Sequence, residues 1–239
     1  MSSFPETWGI VVAGGGGKRF GSGELKQFAP LAGKPMVLWS VDAFRSHPAI
    51  IGLSLVVPAR YQKEPPDWLA RLAAEGLRVV AGGGTRSESV RAGLETVESP
   101  AVLVAVHDAV RPLVTPELIT RVLAGAAPDR GAIAARRVTD TLKEAVAGND
   151  DEMVRSTVDR ARLWRAETPQ IFGRELLVEV YRRAAEEFRQ ETDCAALCEA
   201  YGIRVKLVEI DELNLKVTHP PDALLAGAVL AARGLGSSS

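Results

Sequence analysis

Four consecutive glycines, Gly14 to Gly17, run into Lys18 and Arg19, and a third cation, Lys26, follows seven residues after Arg19. Glycine lacks Cβ, so backbone N–H groups there can approach phosphate oxygens closely, while Lys and Arg neutralise their charge. The apolar run Ile10 to Ala13 just before it reads as a strand, so the stretch looks like a strand feeding a polyphosphate-binding loop. An ordinary glycine-rich turn is the plainer reading, and the three cations after a strand weigh against it. Two familiar phosphate loops are excluded: Arg19 follows Lys18, which breaks G-x-x-x-x-G-K-[ST], and Phe20 stands where the last glycine of G-x-G-x-x-G belongs.

Two further loops carry unusual residues, Gly82-Gly83-Gly84-Thr85-Arg86 and His107-Asp108-Ala109-Val110-Arg111-Pro112. Transfer from a triphosphate needs several cations and a divalent metal, because charge accumulates on the oxygens around the reacting phosphorus. Arg19 and Lys26 are the natural cations. Asp108, at the end of a strand, is placed to offer a carboxylate oxygen to Mg²⁺. A lone Asp after a strand is often a helix cap, but the adjacent His107 and Arg111-Pro112 favour a site. His107 reads as structural, since nothing nearby completes a nucleophile-His-acid relay and an anionic acceptor needs no general base.

The elements that must position these loops alternate. Strands are expected at Ile10 to Ala13, Leu53 to Val57, Leu77 to Val80, Val102 to Val106, Gly131 to Ala135 and Val205 to Glu209. Helices are expected at Met36 to Arg45, Pro65 to Glu75, Ser87 to Val97, from Thr115-Pro116-Glu117, at Arg174 to Arg189, from Thr192-Asp193, and from Pro220 or Pro221 to Arg233. Asn214 to Thr218 reads as a short extended piece, and Gly236 to Ser239 as a disordered end. Alternation of this kind predicts an α/β fold, a mostly parallel sheet between helices, with ligands at the carboxyl ends of the strands and one site beneath the three loops. Between Arg137 and Arg162 the pattern changes. Thr141 to Val146 and Met153 to Val158 flank the polar turn Gly148-Asn149-Asp150-Asp151, which predicts a projecting β-hairpin arm whose Thr141, Arg155, Asp159 and Arg160 face a partner or substrate.

The 239 residues are expected to form one domain, and a net charge of -1 offers no field for nucleic acid or an anionic membrane. No apolar run has signal-peptide or membrane-span character, so a cytoplasmic protein is expected. Cys194 and Cys198 are too few for a disulfide framework or a structural zinc site.

The motifs AGGGGKRF, LKQF, GGGTRSESV, VHDAVRP, DTLK, TVDRARLW, TPQIF, the Thr192-Asp193 pair and NLKVTHPPD occur in this order. From Ile10 to about Ala232 the chain resembles the 2-C-methyl-D-erythritol 4-phosphate cytidylyltransferases. The resemblance implies a Rossmann-like GT-A nucleotidyltransferase fold and formation of 4-diphosphocytidyl-2-C-methyl-D-erythritol and pyrophosphate from CTP and the methylerythritol phosphate, in non-mevalonate isoprenoid synthesis. It also implies Mg²⁺ and a homodimer joined by the arm. Ala13, Gly14, Gly15 and Gly17 match the CTP loop, with Arg19 and Lys26 stabilising the transition state. Gly83, Gly84 and Ser89 match the cytosine site, and Asp108 and Ala109 the ribose and metal edge. Arg111, Thr141, Arg160, Thr192 and Lys216, with Asp108, match groups that hold the methylerythritol phosphate or the α-phosphate, Thr141 and Arg160 coming from the neighbouring subunit. Lys216 and Arg160 join the catalytic set. Gly84 stands where an Asp is usual, Val110 where Ala is frequent, and Cys194 where an acid often follows the Thr-Asp pair. The chain is expected to lack the fused cyclase domain of bifunctional relatives. Two rival readings are a ribitol-5-phosphate cytidylyltransferase, which the TVDRARLW arm fits less well, and a nucleotide-binding regulatory module without turnover.

Overall fold

The computed structural model describes residues 4–15, 19–20, 24–98, 100–146, 153–189 and 191–235, with the backbone alone at 19, 20 and 24. A seven-stranded sheet runs in the spatial order Val205–Glu209, Gly131–Arg137, Trp164–Gly173, Leu103–Asp108, Thr7–Val12, Ile50–Val57, Arg78–Ala81. Every neighbouring pair is parallel except the two that Trp164–Gly173 makes.

Parallel strands buried on both faces need apolar residues at successive positions, and the central strands supply them. Val11, Leu55, Leu103 and Ala105 pack on one face under the helices Met36–Arg45 and Pro116–Leu123. Ile10, Val56, Val104 and Val106 pack on the other under Arg86–Leu94, Arg174–Glu186 and Cys194–Ala200. The last helix, Pro220–Ala232, closes a smaller cluster around Met36, Leu113 and Val217. The α/β fold with its parallel sheet between helices is therefore as expected.

Boundaries differ where pairing rather than apolar pattern decides them. The first strand starts at Thr7, which pairs with both Ile50 and Leu103, three residues before the apolar run. Met36–Arg45 and Val205–Glu209 coincide with expectation, and Thr115 caps its helix by accepting from the Leu118 N–H at 3.2 Å. The expected helices over 65–75, 87–97 and 174–189 are shorter, Asp67–Ala74, Arg86–Leu94 and Arg174–Glu186. Residues 214–218 form no strand; they are tied down by the Val217 N–H donating to Val110 O at 2.8 Å. In the arm, Lys143–Ala145 pairs antiparallel with Val154–Thr157, and the turn at Gly148 to Asp151 lies outside the described residues, as do Gly236 to Ser239.

Candidate active site

The register aligns the carboxyl ends of the strands at one level, with Val12 opposite both Val56 and Asp108, and Val57 opposite Ala81. Just beyond them is a cleft of about 260 Å³ lined by Val12, Ala13, Gly15, Lys26, Gln27, Gly84, Thr85, Arg86, Asp108, Val110 and Lys216. All three loops singled out by composition reach it.

Two glycine loops meet at Ser89. A Cβ on Gly14 would lie 2.8 Å from Ser89 Oγ and 3.3 Å from Gly82 Cα, so the loops touch through backbone and the contact leaves no room for a side chain. Ser89 is buried, and its hydroxyl donates to Thr85 O at 2.9 Å. Ser89 therefore wedges the loops together from below. Thr85 starts a capping box: it accepts from the Glu88 N–H, while the Glu88 carboxylate accepts from Gly84 N–H at 2.6 Å and Thr85 N–H at 3.3 Å. Gly83 lies against Glu88 outside the cleft wall, and Gly84 lines it.

Lys26 opens the 3-10 turn Lys26–Phe28, which is anchored by buried Phe28 against Tyr61 and Trp68. Gln27 donates to Ala13 O at 2.8 Å and Gly15 O at 2.9 Å, pinning the start of the first glycine loop. Burial, then repulsion from Lys216, lowers the pKa of Lys26. Two ammonium groups close enough to perturb one another are relieved by an anion between them. Gly17 and the side chain of Arg19 lie outside the described residues; the Arg19 backbone pairs with Leu25.

Asp108 is the convergence point. Its Oδ1 accepts from Arg86 Nε at 3.0 Å and its Oδ2 from Lys216 Nζ at 2.9 Å. Burial alone would raise its pKa, but Arg86 and then Lys216 outweigh that and hold the carboxyl well below the usual range. The antiparallel strand Trp164–Gly173 brings Thr168 beneath it: Thr168 Oγ1 accepts from the Asp108 N–H at 3.1 Å and sits 3.0 Å from His107 Nδ1. The hydroxyl's own hydrogen then goes to Nδ1, and His107 Nε2 donates to Arg111 O at 3.1 Å. Burial pushes His107 down to about 4, so the imidazole is neutral and internal, the structural role its sequence setting suggested.

A model of the IspD family, 2-C-methyl-D-erythritol 4-phosphate cytidylyltransferase, matches residues 8–232. The chain belongs to this family. It is 37% identical over 232 residues to the 2-C-methyl-D-erythritol 4-phosphate cytidylyltransferase of Syntrophus aciditrophicus, a match covering 95% of this chain and 96% of that one. It is also 39% identical over 217 residues to the bifunctional enzyme IspD/IspF of Desulfotalea psychrophila, covering 91% of this chain but 55% of the relative, so it spans about half of that protein's length. The crystal structure of 2-C-methyl-D-erythritol 4-phosphate cytidylyltransferase from Thermus thermophilus superposes with a TM-score of 0.75 at 30% identity, over 93% of this chain and 98% of that chain.

The residues matched to the acceptor side of an IspD site are dispersed in a single chain. Lys216 and Asp108 line the cleft, whereas Arg111 is buried in an ion pair with Glu167 at 3.2 Å, donating also to Asn214 O at 2.8 Å; Ala109, matched to the ribose edge, is fully buried. Thr192 is exposed beside Asp193, which caps the helix Cys194–Ala200. Thr141 and Arg160 are exposed on the arm, Arg160 donating to Thr139 O, and neither lines the cleft of its own chain.

Val12, Gln27, Thr85, Arg86 and Val110 line the cleft without having been assigned a site role from the sequence, and Arg86 and Gln27 are the two whose side chains make polar contacts with named site residues. For Arg86 a signal existed. It occupies the first position of a helix, where a positive charge opposes the helix dipole, so a carboxylate partner was to be expected.

Proposed function

We propose that the chain transfers the cytidylyl group of CTP to 2-C-methyl-D-erythritol 4-phosphate. The observation that carries this reading is the convergence of Lys26, Lys216 and the Ala13-Gly15 backbone on one cleft, with Asp108 as an ionised carboxylate at its floor. An acceptor phosphate oxygen forms a bond to the α-phosphorus of CTP, the bond from that phosphorus to the β-bridging oxygen breaks, and pyrophosphate leaves. Lys26 and Lys216 stabilise charge as it grows on the phosphoryl oxygens, and Arg19 is assigned the same work. Gly14, Gly15 and Gly17 wrap the triphosphate. Gly83, Gly84 and Ser89 frame the cytosine, with Ser89 acting by holding the two loops together. Asp108 and Ala109 form the ribose edge, and Arg111, Thr141, Arg160, Thr192 and Lys216 the acceptor side.

Among the described residues no cluster of three or more His, Cys, Asp or Glu is placed to hold a metal. Asp108, the single carboxylate among the described cleft residues, fits Mg²⁺, which commonly takes one or two protein carboxylates and completes its shell with substrate phosphates and water. Asp108 is the residue that would hold it, and the ion would supply further neutralisation of the phosphate charge.

The arm supports a homodimer. Leu142, Val146, Met153 and Val154 are all exposed on it, at 36% to 64%, and a two-stranded hairpin of this kind is marginal unless something covers its apolar side chains. A second copy that covers them also brings Thr141 and Arg160 to a neighbour's cleft. No described helix is long and apolar enough to cross a membrane.

The test is direct. Purified protein is mixed with CTP, Mg²⁺ and either 2-C-methyl-D-erythritol 4-phosphate or ribitol 5-phosphate, and pyrophosphate release is measured. Turnover with the methylerythritol phosphate is expected; turnover with ribitol 5-phosphate alone, or with neither acceptor, sinks the reading.

A further inference from the structure

One carboxylate in the cleft serves two cations from distant parts of the chain. Arg86 Nε holds Oδ1 of Asp108 at 3.0 Å, and Lys216 Nζ holds Oδ2 at 2.9 Å. The backbone of the segment carrying Lys216 is fixed by buried Asn214 and Val217 on either side, but its half-exposed side chain is held by Asp108 Oδ2. Lys26 repels it across the cleft. What keeps Lys216 at the cleft wall is therefore the orientation of the Asp108 side chain.

That orientation is controlled by Arg86. Among the described residues Asp108 is its one ion-pair partner. Its Nη1 reaches only the Cys194 thiol at 3.7 Å, and its Nη2 is buried with no hydrogen-bond partner, 3.0 Å from the same Oδ1. Burial raises the Cys194 pKa, so the thiol is neutral and does not compete for the guanidinium. A partly buried arginine at a helix's first position, with its buried Nη2 left unmatched, stabilises neither the helix dipole nor a saturated hydrogen-bond network. Its geometry serves the carboxylate.

We infer that Arg86 is a positioning residue for nucleotide binding, holding the Asp108 carboxylate by Oδ1 so that Oδ2 presents Lys216 to the cleft. Without Arg86 the carboxylate is free to turn and take the ammonium onto both oxygens, withdrawing Lys216 from the phosphates. The inference rests on the cytidylyl-transfer reading of the site.

The experiment is a double-mutant cycle on CTP affinity, with R86Q, D108N and R86Q/D108N compared to the wild type by titration calorimetry, and melting temperatures measured in parallel. R86Q is expected to weaken CTP binding about tenfold or more in the wild-type background but by less than about threefold in the D108N background, the signature of coupled residues. Effects that multiply in the double variant mean that Arg86 contacts CTP itself, and a lowered melting temperature with unchanged affinity means that it only supports the fold; either overturns the inference. Should R86Q not fold, R86K keeps the charge but loses the planar fork, and the same cycle applies. Wild type that fails to bind CTP overturns both this role and the functional reading, whereas wild type that binds, with no coupling, overturns the role of Arg86 alone.

Discussion

The cleft and the arm handle charge in opposite ways. In the cleft Asp108 is 8% exposed and each of its oxygens has a cation from the same chain. In the arm the residues at 139–146 and 153–157 are all exposed, and their ion pairs, such as Arg155 with Glu144 at 3.3 Å, lie open to solvent. Exposed pairs of that kind contribute little, whereas a pair whose carboxylate is withdrawn from water is screened less and costs more to break. The difference teaches that the cleft's described charges are held in place by partners within the chain, whereas those of the arm are held by little beyond the hairpin itself.

The sharpest probe of this division is Lys26→Ala. Lys26 is half-buried at the cleft wall, and its loss is expected to lower kcat/KM about 10³-fold, roughly 4 kcal/mol of transition-state stabilisation, in the pyrophosphate assay. Turnover within tenfold of wild type would remove the cleft's claim to the chemistry.

Beneath the cleft, His107 links its geometry to pH. Its folded pKa is lowered from 6.5 to about 4, so between those values the unfolded chain binds a proton that the folded chain refuses. Stability is then fully present above pH 6.5 and falls as the pH drops toward 4, by about 3 kcal/mol in all. His47, whose pKa is lowered by burial, adds in the same direction. Urea unfolding of wild type and H107Q from pH 7 to pH 4.5 should show the slope flatten in the variant; parallel slopes would mean that His107 is not buried as a neutral ring.

On the arm, Arg160→Ala is expected to lower kcat/KM for the acceptor about 100-fold while leaving the CTP Kd within about twofold, since a guanidinium clamps a phosphate without touching the nucleotide. Comparable loss for both substrates would erase the contrast between the two regions. A smaller effect is expected for the exposed apolar side chains: Met153→Lys with Val154→Lys should weaken self-association about tenfold to 100-fold by sedimentation, with activity recovering as protein concentration rises. An unchanged sedimentation profile would remove the arm from any self-association.

Much of the scaffold was legible because its signals are local. The strand Val205 to Glu209, the helix Met36 to Arg45 and the cap at Thr115 follow from apolar periodicity and side-chain to backbone hydrogen bonds within a few residues. Strand starts were less legible: Thr7 and Ile50 join the sheet through ladder bonds to one another and, at Thr7, to Leu103, which no local pattern records. Arg111 shows the same limit in the site. Its place after Asp108 suggests exposure at the cleft, but the antiparallel strand brings Glu167 against it and buries the pair.

The sequence by itself determined that this chain alternates strands and helices, that glycine loops and cations sit where strands end, and that the region from Arg137 to Arg162 departs from the sheet. These are properties of spacing and composition, set over a few residues at a time. Only the tertiary structure decided that one aspartate joins Arg86 to Lys216, that Ser89 locks two glycine loops together, and that His107 is an internal neutral ring. Each depends on groups far apart in the chain whose charges and hydrogen bonds acquire meaning only when folding removes them from water.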